Sequence, residues 1–120
     1  MNVQPLFSGM VLTLSIALFS PFVAAAGTAG EPYAKITYPQ DGGKLGAASR
    51  KQVDYEVVPG SRGDHIHLYV DNKEAAILRK LVGSHPLDSM APGPHAICVK
   101  VVNKAHVPIG VEQCVNVNVE

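Results

Sequence analysis

Tryptophan is absent from this chain, and aromatic side chains are few: four tyrosines and three phenylalanines among 120 residues. A core must then come from Val, Ala, Ile and Leu, a bias that suits strands with β-branched interiors better than helices. Net charge is absent too, since Lys+Arg and Asp+Glu both number 10. That balance gives no broad attraction to nucleic acid or anionic lipid, so neither is an expected partner. Cysteine occurs only twice. There is no Cys-x-x-Cys pair, no phosphate-cradling glycine loop, and no carboxylate pair in a recognisable catalytic setting. Ser61 and Ser89 lack the strand-to-helix Gly-x-Ser-x-Gly context of a hydrolase nucleophile. These absences argue against an enzyme; a small hydrolase or redox enzyme is the least favoured class.

Charged side chains are also missing from Met1 to Ala26. Leu6–Phe19 is an apolar run of signal-peptide length, Pro21 comes next, and Ala24 and Ala26 supply the small-x-small pattern that fits the pockets of a signal peptidase. A signal peptide over 1–26, cleaved after Ala26, is the expectation. Met1–Pro5 carries no Lys or Arg. Counted through Ala26, the apolar stretch just reaches the roughly 20 residues of a membrane span, so retention as an anchor is the alternative. Pro21 and the alanine run favour cleavage, after which no span remains. No cysteine sits at the junction to carry a lipid. Removing 26 of 120 residues leaves 94, and a domain that small buries only about 60–65% of its unfolded surface. The expected location is the periplasm or the exterior.

Beyond a flexible leader at 27–33, the chain reads as short strands and turns. Ala34–Tyr38 is a strand stopped by Pro39, and Gln40–Ser49, with three glycines, is a loop. Gln52–Val58 alternates, with Val53, Tyr55 and Val57 on one face and Asp54 and Glu56 on the other. Asp64–Asp71 alternates again: Ile66, Leu68 and Val70 inward, His65, His67 and Tyr69 outward. Asp71-Asn72-Lys73 turns the chain. Ala75–Leu81 is a weaker strand, or a short helix given its good helix formers. Gly83-Ser84-His85-Pro86 punctuates it, Leu87–Met90 is a short element, and two long strands, His95–Val102 and Val111–Val119, close the chain. About seven short strands with turn signals every 8–12 residues give the expected fold: an all-β, immunoglobulin-like sandwich of two antiparallel sheets over residues 34–120.

Cys98 and Cys114 lie in the two closing strands. His106 is their midpoint, at the middle of the loop Asn103–Gly110, so a simple hairpin register sets the two cysteines opposite each other. In an oxidising compartment they should pair, as a cross-strand staple on the solvent face beside Lys100, Glu112, Asn116 and Asn118. Free thiols that bind metal or cycle redox state are the alternative.

All five histidines, His65, His67, His85, His95 and His106, fall after the apolar segment. His65 and His67 share one strand face, and imidazoles at that spacing can share a metal or recruit a third ligand from a loop. In immunoglobulin order the strand from Asp64 pairs with the strand from His95. This sets His65, His67, His106 and the loop of His85 at one end, and His95 near the other. Imidazole donors point to copper or zinc. Met90 would serve as a ligand only for copper(I). A cluster of imidazoles holds metal poorly in acid. The plainer reading is that these are solvated surface histidines. Asp64 beside His65 is not a dyad by sequence adjacency alone, since neighbours on a strand face opposite ways. Arg62-Gly63-Asp64 spells an adhesion tripeptide, but glycine and aspartate are what a turn asks for.

His65-Ile66-His67-Leu68-Tyr69-Val70-Asp71, then Leu87, then Ala91-Pro92-Gly93-Pro94-His95, then Asn103-Lys104-Ala105-His106-Val107-Pro108 together resemble a family of short bacterial secreted domains of unknown function. That family has a His-rich strand ending in Asp, a Pro-Gly-x-His turn and a late His-x-Pro. The resemblance covers about half of the chain beyond the signal segment. It implies a periplasmic immunoglobulin-like sandwich, with family histidines at His65, His67, His95 and His106. The functional expectation is a non-catalytic exported domain that binds a metal ion or a periplasmic protein partner through its loop end. The alternative is a structural or accessory sandwich with incidental histidines.

Overall fold

The computed structural model describes residues 30–120, together with Val3, Gly9 and residues 16–19. The expected signal peptide, apart from those isolated positions, its cleavage point after Ala26 and residues 27–29 of the leader lie outside the described residues. No helix among the described residues is long and apolar enough to cross a membrane.

Among the described residues eight strands run in chain order: β1 (Tyr33–Tyr38), β2 (Gly43–Leu45), β3 (Gln52–Val58), β4 (His65–Val70), β5 (Lys73–Leu78), β6 (Val82–Pro86), β7 (Gly93–Val102) and β8 (Pro108–Val119). They form a three-stranded sheet in the order β1-β3-β6 and a five-stranded sheet in the order β2-β8-β7-β4-β5. The chain is an immunoglobulin-like β-sandwich.

Alternation explains the packing. Val53, Tyr55 and Val57 of β3 are buried and meet Ile66, Leu68, Ile97, Val99, Val101, Val115 and Val117 from the larger sheet. Each such burial contributes about 1.5–3 kcal/mol, and among the described residues no aromatic other than Tyr55 joins the buried core. The β4–β5 hairpin closes on Asp71 and Asn72, both at positive φ (51° and 64°). That is the pair of conformations a two-residue turn needs to match strand twist.

Several sequence expectations are corrected. The loop expected over Gln40–Ser49 contains β2, which pairs parallel with β8, so the larger sheet is mixed rather than antiparallel throughout. The segment Ala75–Leu81 is no helix; β5 ends at Leu78, and Gly83-Ser84-His85-Pro86 belongs to β6, paired with β3. Leu87–Met90 forms no regular element. The outward face of β4 is not wet: His65 is 1% and His67 4% exposed. Val102, also on that side, is fully buried beside Val101. From the β7–β8 loop, the ring of His106 packs against both histidines on this face.

Cys98 and Cys114 stand opposite each other in the β7–β8 ladder and are joined as a disulfide. Cys114 is exposed as expected, whereas Cys98 is buried, on the same covered face as the histidines.

Candidate metal centre

β4 supplies two histidines because its alternation sends both imidazoles to the outer face at the end where the strand begins. β4 pairs antiparallel with β7, and His65 lies opposite Val102, the last residue of β7. The loop that leaves Val102 carries the third histidine. Asn103 builds that loop: its Oδ1 accepts hydrogen bonds from the backbone of Ala105 (2.9 Å) and Val107 (3.0 Å). The backbone N–H of His106 donates to the Asn103 carbonyl at 2.9 Å. His106 closes the turn at φ 63°, a left-handed conformation that non-glycine residues adopt at a cost.

The three rings converge edge-on. His65 Nε2 lies 3.2 Å from His67 Nε2 and 3.2 Å from His106 Nδ1, and His67 Nε2 lies 3.0 Å from His106 Nδ1. The rings are tilted or near perpendicular, at 49°, 73° and 48°, so nitrogens rather than ring faces meet. Zinc–imidazole bonds of about 2.0–2.1 Å in a tetrahedral arrangement require nitrogens about 3.3 Å apart. The observed triangle fits with shifts of a few tenths of an ångström.

The other side of the rings decides which nitrogens are free. Asp64 Oδ2 accepts a hydrogen bond from His65 Nδ1 at 2.9 Å. That bond holds the Asp64 carboxyl below the usual range, helped by the charges of Lys104 and Arg79. Glu74 Oε1 stands 3.7 Å from His67 Nδ1, too far for a direct hydrogen bond but on the ring edge away from the other histidines. With Nδ1 of His65 protonated toward a carboxylate, its Nε2 offers a lone pair to the cluster. Carboxylates behind ligating imidazoles fix tautomer and orientation in this way. Burial pushes the His67 pKa down, against the pull of Glu74, and so favours the neutral, ligating ring. The three facing nitrogens stand 3.0–3.2 Å apart, and one proton among them serves at most two. A cation at their centre serves all three.

Of the histidines singled out from the sequence, His65, His67 and His106 come together. His85 does not. It lies on β6 opposite Val53, in the other sheet, because the segment expected as a loop is a strand. His95 is at the opposite end, where Nδ1 bonds Asp71 Oδ2 at 2.5 Å and Nε2 the Ala91 carbonyl at 2.6 Å. Both its nitrogens are engaged, which leaves none for a metal. Asp64 does partner its neighbour His65, against the expectation from alternation: β4 begins only at His65, so alternation does not govern the preceding residue. Glu74 is not singled out by any motif. The two-residue hairpin, with Tyr69 opposite Glu74, is the signal that would find it.

No family model matches the chain, and no curated protein matches it. Solved structures do. The fibronectin(III)-like modules of Clostridium thermocellum CbhA share 15% identity at a TM-score of 0.57, over 72% of this chain and 95% of that one. The likeness is one of fold. The endo-beta-1,4-mannanase from Thermotoga petrophila shares 15% identity at a TM-score of 0.57, over 80% of this chain and 21% of the enzyme. An engineered protein shares 14% identity at a TM-score of 0.52, over 74% of this chain and 20% of its own length.

Proposed function

We propose that this chain is a non-catalytic exported domain that binds a divalent transition metal, zinc or copper, through His65, His67 and His106. The observation that carries the reading is the convergence of three imidazole nitrogens, buried on one side and backed by Asp64 and Glu74. Imidazole donors select zinc or copper over calcium or magnesium. The disulfide ties up both cysteines, so neither offers a thiolate for catalysis, and it suits an oxidising compartment. A periplasmic partner protein would meet the domain at this loop end.

A second reading, an accessory module without metal, draws on the likeness to fibronectin(III)-like modules. Titration of the chain with zinc and copper separates the two. One equivalent bound tightly, with affinity lost by about 100-fold or more in the double variant His65→Ala/His67→Ala, supports the metal centre. No binding at micromolar metal, or equal affinity in the variant, leaves the accessory module.

A further inference from the structure

His95 lies at the end of the sandwich away from the histidine triad, on the inner side of the larger sheet, where it stands opposite the core residue Val117. Its Nδ1 meets Asp71 Oδ2 and its Nε2 the Ala91 carbonyl. Both partners are acceptors: Ala91 offers a carbonyl oxygen, and the other oxygen of Asp71 already takes the Ala96 N–H. A neutral imidazole has a single N–H and serves only one of them, so the two bonds together need both nitrogens protonated.

Ala91 belongs to a strap, residues 87–92, that forms no strand. Leu87 anchors its start, with a buried side chain and an N–H that donates to the Lys51 carbonyl at 2.9 Å. Among the described residues, the bond from His95 is the only hydrogen bond on residues 88–92. Met90, partly buried against the core, lines two cavities at once. One, of about 230 Å³, is bordered by Leu68, Val70 and His85; the other, of about 170 Å³, by Leu45, Lys51 and Val119.

We propose that doubly protonated His95 latches this strap over the end of the sandwich, and that loss of its Nε2 proton to water lifts the strap and joins the two cavities beside Met90. The Nδ1 proton stays with the carboxylate, the stronger, charge-assisted partner. The Nε2 lone pair then faces the lone pairs of the Ala91 carbonyl, and the strap loses its hold. Asp71 is the charge that acts on the ring, and Lys73 acts in turn on Asp71. Asp88 of the strap, with Glu74, His85, Lys51 and Glu120, borders the cavities, and among the described residues none of these pairs with the ring. The bond to Asp71, and then that to Ala91, raises the pKa of His95, so release comes above the ordinary histidine range. The latch holds whether or not the triad binds metal.

Met90 is the reporter, because hydrogen peroxide oxidises an accessible thioether to the sulfoxide and reaches a covered one slowly. One oxygen passes from peroxide to sulfur, and water leaves. In chelator, the Met90 oxidation rate, normalised to free methionine, should rise about three- to tenfold between about pH 5.5 and 9 as one hydrogen bond is lost. Its midpoint should match that of the His95 ring protons in NMR spectra. Asp71→Asn should move both midpoints down together. His95→Gln should give a flat profile, and His85→Gln should leave the rise intact. A flat rate in the parent chain across the His95 titration overturns the latch without recourse to any variant. A rise that persists in His95→Gln, or vanishes in His85→Gln, belongs to another group and overturns it as well.

Discussion

His95 illustrates how one ring can be fully committed. The hydrogen bond to Asp71 raises its pKa, with the Ala91 carbonyl adding to the effect. In return that bond lowers the pKa of Asp71, which also accepts from the Ala96 backbone N–H. The consequences for stability have opposite signs. A raised histidine stabilises fully below its unfolded pKa, and the benefit fades as pH rises through the raised folded value. A lowered aspartate stabilises above its unfolded pKa, and the benefit fades as pH falls through the depressed value. The pair therefore contributes most between about pH 4 and 6.5, the unfolded values of the two groups. Urea midpoints at pH 5.5 and 8.5 should differ less in Asp71→Asn than in the parent chain. Equal differences would show that the pair is not titrating as described. Asn72 sits in the same turn at φ 64°. Asn72→Val should cost about 1–2 kcal/mol in a urea titration, because a β-branched residue resists the left-handed region, and Asn72→Gly should be tolerated.

Between elements, two devices brace the sheet that carries His65 and His67. Gly63 leads into β4, and a Cβ there would sit 2.4 Å from the Pro59 carbonyl oxygen and 2.6 Å from Val101 Cγ1. Gly63→Ala must push the turn off the sheet and displace Asp64, so we expect a loss of about 1–3 kcal/mol and weaker metal binding. An unchanged melting curve would refute the contact. The Cys98–Cys114 bond closes a loop of about 15 residues on the β7–β8 hairpin, worth about 3 kcal/mol by chain entropy. Reduction by a thiol reagent should lower the urea midpoint accordingly. At this level the sequence reads unevenly, for identifiable reasons. β3 is legible end to end because Val53, Tyr55 and Val57 alternate without interruption. β2 is hidden because three residues, Gly43-Lys44-Leu45, are too few to show a period. β6 is hidden because Gly83 and Pro86 read as a turn, yet an edge strand tolerates both. The histidine triad is legible from alternation plus hairpin register. The burial of His65 and His67 is not, because nothing local to β4 tells that the ring of His106 comes back against them.

Taken as a whole molecule, the domain places Tyr55 and its valine-rich interior on one side of the larger sheet and a second, polar cluster, with Tyr69 beside it, on the other. That second cluster does not stabilise the metal-free chain in an obvious way. It brings three ring nitrogens to 3.0–3.2 Å and holds His106 at φ 63°. The left-handed φ of His106 costs free energy with or without an ion, whereas a cation would satisfy the facing nitrogens, so on the metal reading folding and metal binding should be linked. Metal at 100 times its dissociation constant adds about 2.7 kcal/mol, which for a domain of this size raises Tm by about 10–20 °C. His106→Gly separates the two contributions. Glycine adopts the left-handed conformation without penalty and removes one donor. In chelator the variant should melt within a few degrees of the parent chain or above it; in zinc it should lose most of the rise. If zinc raises both equally, the metal binds elsewhere. If the variant unfolds far earlier in chelator, the histidine is holding the loop by packing rather than waiting for an ion.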